Sequence, residues 1–374
     1  MYRMSSVNMF KIFTFTTVIV LLVSVLSCSN NLDTAQIDSS NPKNANPVSL
    51  GATKSDSVQP ISTKPSLNKT KTPASHKEPI KSTNKKNKNK TKALPTQTPT
   101  PVFSALTAPL IDAHLHLPSS IEPEVLFKQL SDAGISKVMV FGKFEKLLPL
   151  KQQNSSFVSI FPQVRRDPIT KELLLNSKMV NILEKQLDTG IPDGIGEISF
   201  RHQSFINSPV NGDQNPVDGP EAMQFFKLAG EQNSPIIVHI EREFSNELES
   251  ALQQNPTTDV IWAHMGDASA AVVGAMLENN PNLYADISCR NPLFPRGFSM
   301  EEQSLTHENG ILKEDWRLLF EKFPDRFMFG TDIGTGNRHE MIYEIVTYYR
   351  SVLGQLTPTT AESIASKNAK SFLE

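Results

Sequence analysis

From residue 109 to residue 374, short apolar runs alternate with stretches in which apolar residues recur at helical spacing. This alternation predicts βαβ units and a parallel sheet. The predicted strands are Pro109 to His116, Lys137 to Gly142, Phe157 to Val164, Asp193 to Ser199, Pro235 to Glu241, Val260 to Gly266, Asn282 to Ser288 and Arg326 to Asp332. Helices are expected over Glu122 to Ala133, Lys171 to Asp188, Pro220 to Gln232, Asn246 to Gln254, Ser269 to Glu278, Lys313 to Phe323 and Arg338 to Leu353. The stretch between strands two and three is short and predicts no definite helix. Eight strands with right-handed crossovers close into an α/β (β/α)8 TIM barrel, although a doubly wound open sheet carries the same pattern.

The polar residues select the barrel. Functional residues of this architecture sit at the carboxyl ends of its strands. His114 and His116 end strand one, Glu197 strand four, His239 strand five, His264 strand six and Asp332 strand eight, so four of the eight histidines hold such positions. Two residues apart on a strand, His114 and His116 point to one face and can present two imidazoles to one ion. Imidazole nitrogen and carboxylate oxygen suit Zn, Fe, Mn or Ni, and Zn is the default because it is redox-inert and accepts a site open to water. Water at such an ion ionises near neutral pH, and Asp332 beside it would take and return a proton. Each residue also has a plainer reading. A lone pair of histidines is often only solvated, His264 suits a hydrogen-bonded core position, and Glu197 suits a structural carboxylate paired with Arg201 or another base. Arg165, Arg166, Arg201, His202 and Arg242 follow strands three, four and five; of these, Arg201 and Arg242 are the candidate contacts for an anionic or carbonyl group of substrate. The stretches Phe200 to Gly219 and Cys289 to Gly310 are expected to be long loops that act as lids.

In this order the residues resemble the amidohydrolase superfamily, in particular the amidohydrolase-related (amidohydrolase 2) family, with a TatD-like GEI at strand four. The resemblance runs from IDAHLH to KNAKSFL (Lys367 to Leu373), which looks like the family's closing helix. It implies that His114 and His116 bind the more buried metal, that His239 and Asp332 are ligands, and that Asp332 is also the proton shuttle. It implies too that His264 binds a second metal or polarises the reacting water, and that Glu197 occupies the bridging position of two-metal members. The expected cofactor is one or two divalent ions, Zn by default. The expected activity is hydrolysis of an amide, ester, lactone or related bond of a small molecule. Two alternatives share the scaffold: a metal-dependent decarboxylase acting on aromatic acids, and a catalytically inactive binding module.

Composition changes the picture ahead of residue 109. Arg3 and Lys11 precede the apolar run Ile12 to Leu26, which is followed by Ser27 and Cys28. This reads as a signal peptide over residues 1–28. Val25 to Cys28 resembles the lipobox of bacterial lipoproteins, implying an exported, membrane-anchored protein lipidated on Cys28, periplasmic or at the cell surface. The run is short for a spanning helix, which makes a retained anchor the weaker reading. Residues 29–108 are rich in Ser, Thr, Asn, Pro and Lys and predict a disordered tether. Twelve lysines against four carboxylates give that segment a net charge of +8, whereas residues 109–374 carry −12, so the near-neutral total of −2 conceals a strong asymmetry. With Cys28 lipidated, Cys289 has no disulfide partner, and the barrel must rest on its own core. No nucleic-acid motif or solenoid repeat is present.

Overall fold

A computed structural model describes residues 104–202, 213–293, 300–334 and 337–374. The signal-like segment, Cys28 and the tether up to residue 103 lie outside the described residues. So do 203–212, half of the first expected lid, and 294–299 of the second.

β1 (Leu110–His116), β2 (Ile135–Gly142) and β3 (Val158–Pro162) form one parallel sheet. β4 (Ile195–His202), β5 (Asp213–Gln214), β6 (Ile236–Ile240), β7 (Val260–Trp262), β8 (Leu283–Asp286) and β9 (Phe327–Met328) form a second, ordered β5-β4-β6-β7-β8-β9 and parallel except for the β4–β5 pair. The ring closes at both joins. Beyond β9, the Ala113 N–H donates to Phe329 O at 2.9 Å, the Asp332 N–H to His114 O at 2.8 Å and the His116 N–H to Ile333 O at 2.9 Å. Between β3 and β4, the Asp193 N–H donates to Ile160 O at 3.0 Å while its carboxylate accepts from the Ile160 N–H at 2.9 Å. Eight parallel strands thus make a closed barrel, and the open sheet is excluded.

Around it run α1 (Pro123–Asp132), α2 (Phe144–Gln153), α3 (Ser177–Leu187), α4 (Pro220–Glu231), α5 (Ser245–Gln254), α6 (Ala270–Asn279), α7 (Met300–Gln303), α8 (Glu314–Lys322), α9 (Ile342–Leu353), α10 (Pro358–Glu362) and α11 (Asn368–Ser371). Their starts follow local chemistry. Proline stands in the first turn of α1, α4 and α10, where its missing N–H costs nothing, and the side chains of Asn176 and Ser269 cap α3 and α6. The segment left unassigned between strands two and three forms α2, with Pro149 inside it. The helix expected from Lys171 begins only at Ser177. Arg166 first pairs with Leu173 in an antiparallel bridge, and Asn176 is the first residue able to cap. Leu106, expected to end the tether, lies on the barrel: its N–H donates to Arg350 O at 3.0 Å, and the Arg350 guanidinium returns a bond to its carbonyl.

The barrel interior is filled by Ile111, Ala113, Met139, Phe141, Phe161, Ile237, Ile261 and Met328, and Ala369 of α11 joins them with Phe372 and Leu373 packed alongside. This is the closing role expected of Lys367 to Leu373. Leu110 and Leu115 belong instead to the layer between strands and helices. Ile111 and Ala113 face inward and Leu115 outward although all three share parity, because the β1–β2 register shifts between Asp112 and Leu115. That irregularity carries His114 and His116 together to the inner face at the catalytic end.

Buried beneath them, Asp112 accepts from the N–H groups of His114 and Thr331 and from the Thr331 hydroxyl. Burial pushes its carboxyl up to about 7 against these bonds. A folded-state pKa above the unfolded value means stability that is full below about 4 and lost as pH rises through about 7. Asn keeps an acceptor for the two N–H groups and removes the ionisation. Asp112→Asn is therefore expected to gain on the wild type by a few kcal/mol between pH 5 and pH 8, read as a widening difference in melting temperature of the metal-free proteins. A constant difference across that range would refute the assignment.

Candidate metal centre

Six side chains meet at the carboxyl end of the barrel. His114 Nε2 lies 3.3 Å from His116 Nε2, and both face Oε2 of Glu197, at 3.7 and 3.1 Å. On the other side, His239 Nδ1 lies 2.9 Å and His264 Nε2 3.8 Å from Oε1 of the same carboxylate. Asp332 Oδ1 closes the first pair, 3.6 Å from His114 and 3.7 Å from His116. Each oxygen of Glu197 thus addresses its own pair of imidazoles. Gly196 makes this placement possible: at φ +138° it lets β4 run so close to β6 that a Cβ would lie 2.8 Å from the Ile237 carbonyl oxygen. Glu197 does not pair with Arg201, the plainer reading of its role.

Two of the imidazoles are fixed from behind by one carboxylate. Asp286, buried at the end of β8, accepts from His114 Nδ1 at 3.0 Å through Oδ2. Its Oδ1 takes the His264 N–H at 3.2 Å and the Ser288 hydroxyl, whose oxygen lies 2.7 Å from His264 Nδ1. With Nδ1 so engaged, each ring turns Nε2 to the centre, the tautomer that a metal ligand needs. His239 is held the other way round: its Nε2 faces Glu241 Oε1 at 3.9 Å, and its ring stacks on His202 with centroids 4.2 Å apart.

The local backbone is shaped to this end. His264 (φ 57°), Cys289 (φ 57°) and Asp332 (φ 51°) occupy the left-handed region that non-glycine residues avoid. Strands expected to reach Gly266, Ser288 and Asp332 therefore stop at Trp262, Asp286 and Met328, and the ligands stand on turns just past them. The Trp262 indole N–H, donating to Ile240 O at 2.6 Å, anchors the first of these turns.

Charge is balanced within the cluster. Burial opposes the charged form of His114, but Asp286, Glu197 and Asp332 outweigh it and push the imidazole up to about 10. Burial likewise opposes ionisation of Glu197 and Asp332. His114, His116 and His239 nevertheless hold Glu197 well below the usual carboxylate range, and His264, His114 and Arg338 do the same for Asp332. The donor set fits a divalent ion in number, type and spacing, with His114, His116, Glu197, His239, His264 and Asp332 offering atoms within 4.8 Å of one another in overlapping groups.

The substrate contacts expected from sequence lie elsewhere. Arg201 forms a two-bond ion pair with Glu247 and sits over Phe244, Arg242 pairs with Glu243, and neither lines the cavity above the centre. Arg165 and Arg166 are held by Glu145 and Asp213. His202 does line that cavity of about 720 Å³ and bonds Glu241 Oε1 at 3.3 Å. Sequence reading assigned no role to Asp286, Ser288, Glu241, Cys289 or Arg338. Arg338 donates to Asp332 Oδ2 at 2.8 Å, and the Cys289 thiol to the same oxygen at 2.7 Å. Asp286, Ser288 and Glu241 carried a signal, standing at or near the ends of predicted strands like the expected ligands.

A (β/α)8 barrel carries its functional residues at the end where this cluster stands. Residues 202–374, which include His239, His264 and Asp332, match the family model described as amidohydrolase. No curated protein matches the sequence. Among solved structures, the chain is similar to an uncharacterised TIM-barrel protein from Bordetella bronchiseptica, at 13% identity and a TM-score of 0.53 over 71% of this chain and 98% of that one. A putative 2-pyrone-4,6-dicarboxylic acid hydrolase from Pseudomonas putida aligns at 14% identity and TM-score 0.51, covering 71% and 98%. A TatD homologue from Escherichia coli aligns at 16% and 0.50, covering 70% and 97%. Identities this low speak to the fold, which is the barrel in each case. The sequence similarity to the amidohydrolase family thus covers residues 202–374, and what is shared over the whole barrel is the fold.

Proposed function

We propose that the protein is a hydrolase that uses metal-activated water to cleave an amide, ester, lactone or related bond of a small molecule. The observation that carries this reading is Glu197, whose two oxygens each face a separate imidazole pair, an arrangement suited to two divalent ions, Zn by preference, sharing one carboxylate. When bound, the ions would supply a polarised water and a Lewis acid for the scissile group. The chain's own residues do the rest. Asp286 and Ser288 hold His114 and His264 in one tautomer, Arg338 and Cys289 fix one oxygen of Asp332, and Asp332 Oδ1, at the edge of the cavity, moves the proton from water to leaving group. The lipobox-like sequence supports an exported lipoprotein anchored through Cys28, acting on periplasmic or extracellular substrates.

Elemental analysis of the purified full-length protein tests the core of this reading. About two metal equivalents are expected, falling to about one in Glu197→Ala. One equivalent insensitive to that substitution would refute the shared site, and release of carbon dioxide from aromatic acids in place of hydrolysis would move the assignment to a lyase.

A further inference from the structure

The barrel carries a net charge of −12, and most of its cations among the described residues pair with carboxylates. Lys143 and Lys146 are different. Both line the cavity above the metal centre, and neither has an ion-pair partner among the described residues, since Glu145 between them is taken by Arg165. Their position follows from register: His116 pairs with Phe141, so Lys143 stands two residues beyond the strand partner of a metal ligand. One helical turn apart at the start of α2, the two side chains reach the same space. No side chain caps that helix, so its positive end adds to their field. The cavity wall also includes the apolar side chains of Leu117, Ile121, Leu147 and Leu150. Glu122 and Arg338 line the same cavity, Arg338 held by Asp332 at 2.8 Å.

We infer that the substrate carries a second anionic group, a carboxylate or phosphate, held by Lys143 and Lys146 while its reacting bond lies at the metal centre. This rests on the hydrolase reading above. An apolar body spanning the wall joins the two ends, and the cavity has room for a small organic molecule of that kind.

The test is calorimetric titration of the metal-loaded full chain with isophthalate, 3-phosphonobenzoate and the singly charged 3-carbamoylbenzoate. The wild type is expected to bind at least one of the first two about tenfold or more tightly than the third, the scale of charge-assisted hydrogen bonds. The better of the two identifies the oxyanion. Lys143→Met/Lys146→Met alters exposed side chains only and should abolish the preference. Equal affinities in the wild type, or a preference that survives in the double variant, would overturn the inference alone. If 3-carbamoylbenzoate binds equally well after the metal is removed by chelation, the metal-site reading falls and the inference with it.

Discussion

Asp332→Asn is expected to lower kcat by about 10²–10⁴-fold with little change in KM, the scale of a lost general acid–base group. The side chain is nearly isosteric, and its anchor survives: Arg338 bonds the Asp332 main-chain carbonyl at 2.9 Å as well as the carboxylate. What disappears is the charge and the site for a proton at Oδ1, the oxygen between His114 and His116. Steady-state kinetics on any ester or lactone that the wild type hydrolyses, paired with thermal melts, separate this from misfolding. An unchanged melt with kcat within about tenfold of wild type would remove Asp332 from the chemistry.

The second large effect belongs to a residue that touches neither substrate nor ion. Asp286→Ala should weaken metal binding by about 10–100-fold or more, because losing an outer partner of a single ligand already costs that much and Asp286 orients two. Ser288→Ala serves as the internal control. It loosens His264 alone and should cost less, leaving the ion nearer His114 and His116 in place. Competition with a chelating dye reads both. Equal losses in the two variants would show that Asp286 acts through His264 only.

Much of this centre was legible in the sequence because barrel strands end where function begins. All six expected ligands converge, and all seven predicted helices formed, the one expected from Lys171 starting only at Ser177, because apolar spacing reports burial directly. The failures have identifiable causes. Arg201 looked available because sequence shows a cation without its partner, and Glu247 is reached only through folding, whereas Arg242 pairs with its own chain neighbour Glu243. The strand ends after β7, β8 and β9 were placed too late, since the left-handed residues there are ordinary side chains with no glycine to announce them at His264, Cys289 or Asp332.

The sequence by itself determined the eight strand–helix units, the six polar side chains at the strand ends and their order around the ring, because each depends on local periodicity and on position within a strand. Tertiary structure alone decided that the β1 register shift sends His114 and His116 inward, that Glu197 faces two imidazole pairs, and that Asp286 sets two tautomers at once. Each of these joins residues tens to more than a hundred positions apart or reverses a strand's parity, and neither leaves a trace in the spacing of apolar residues.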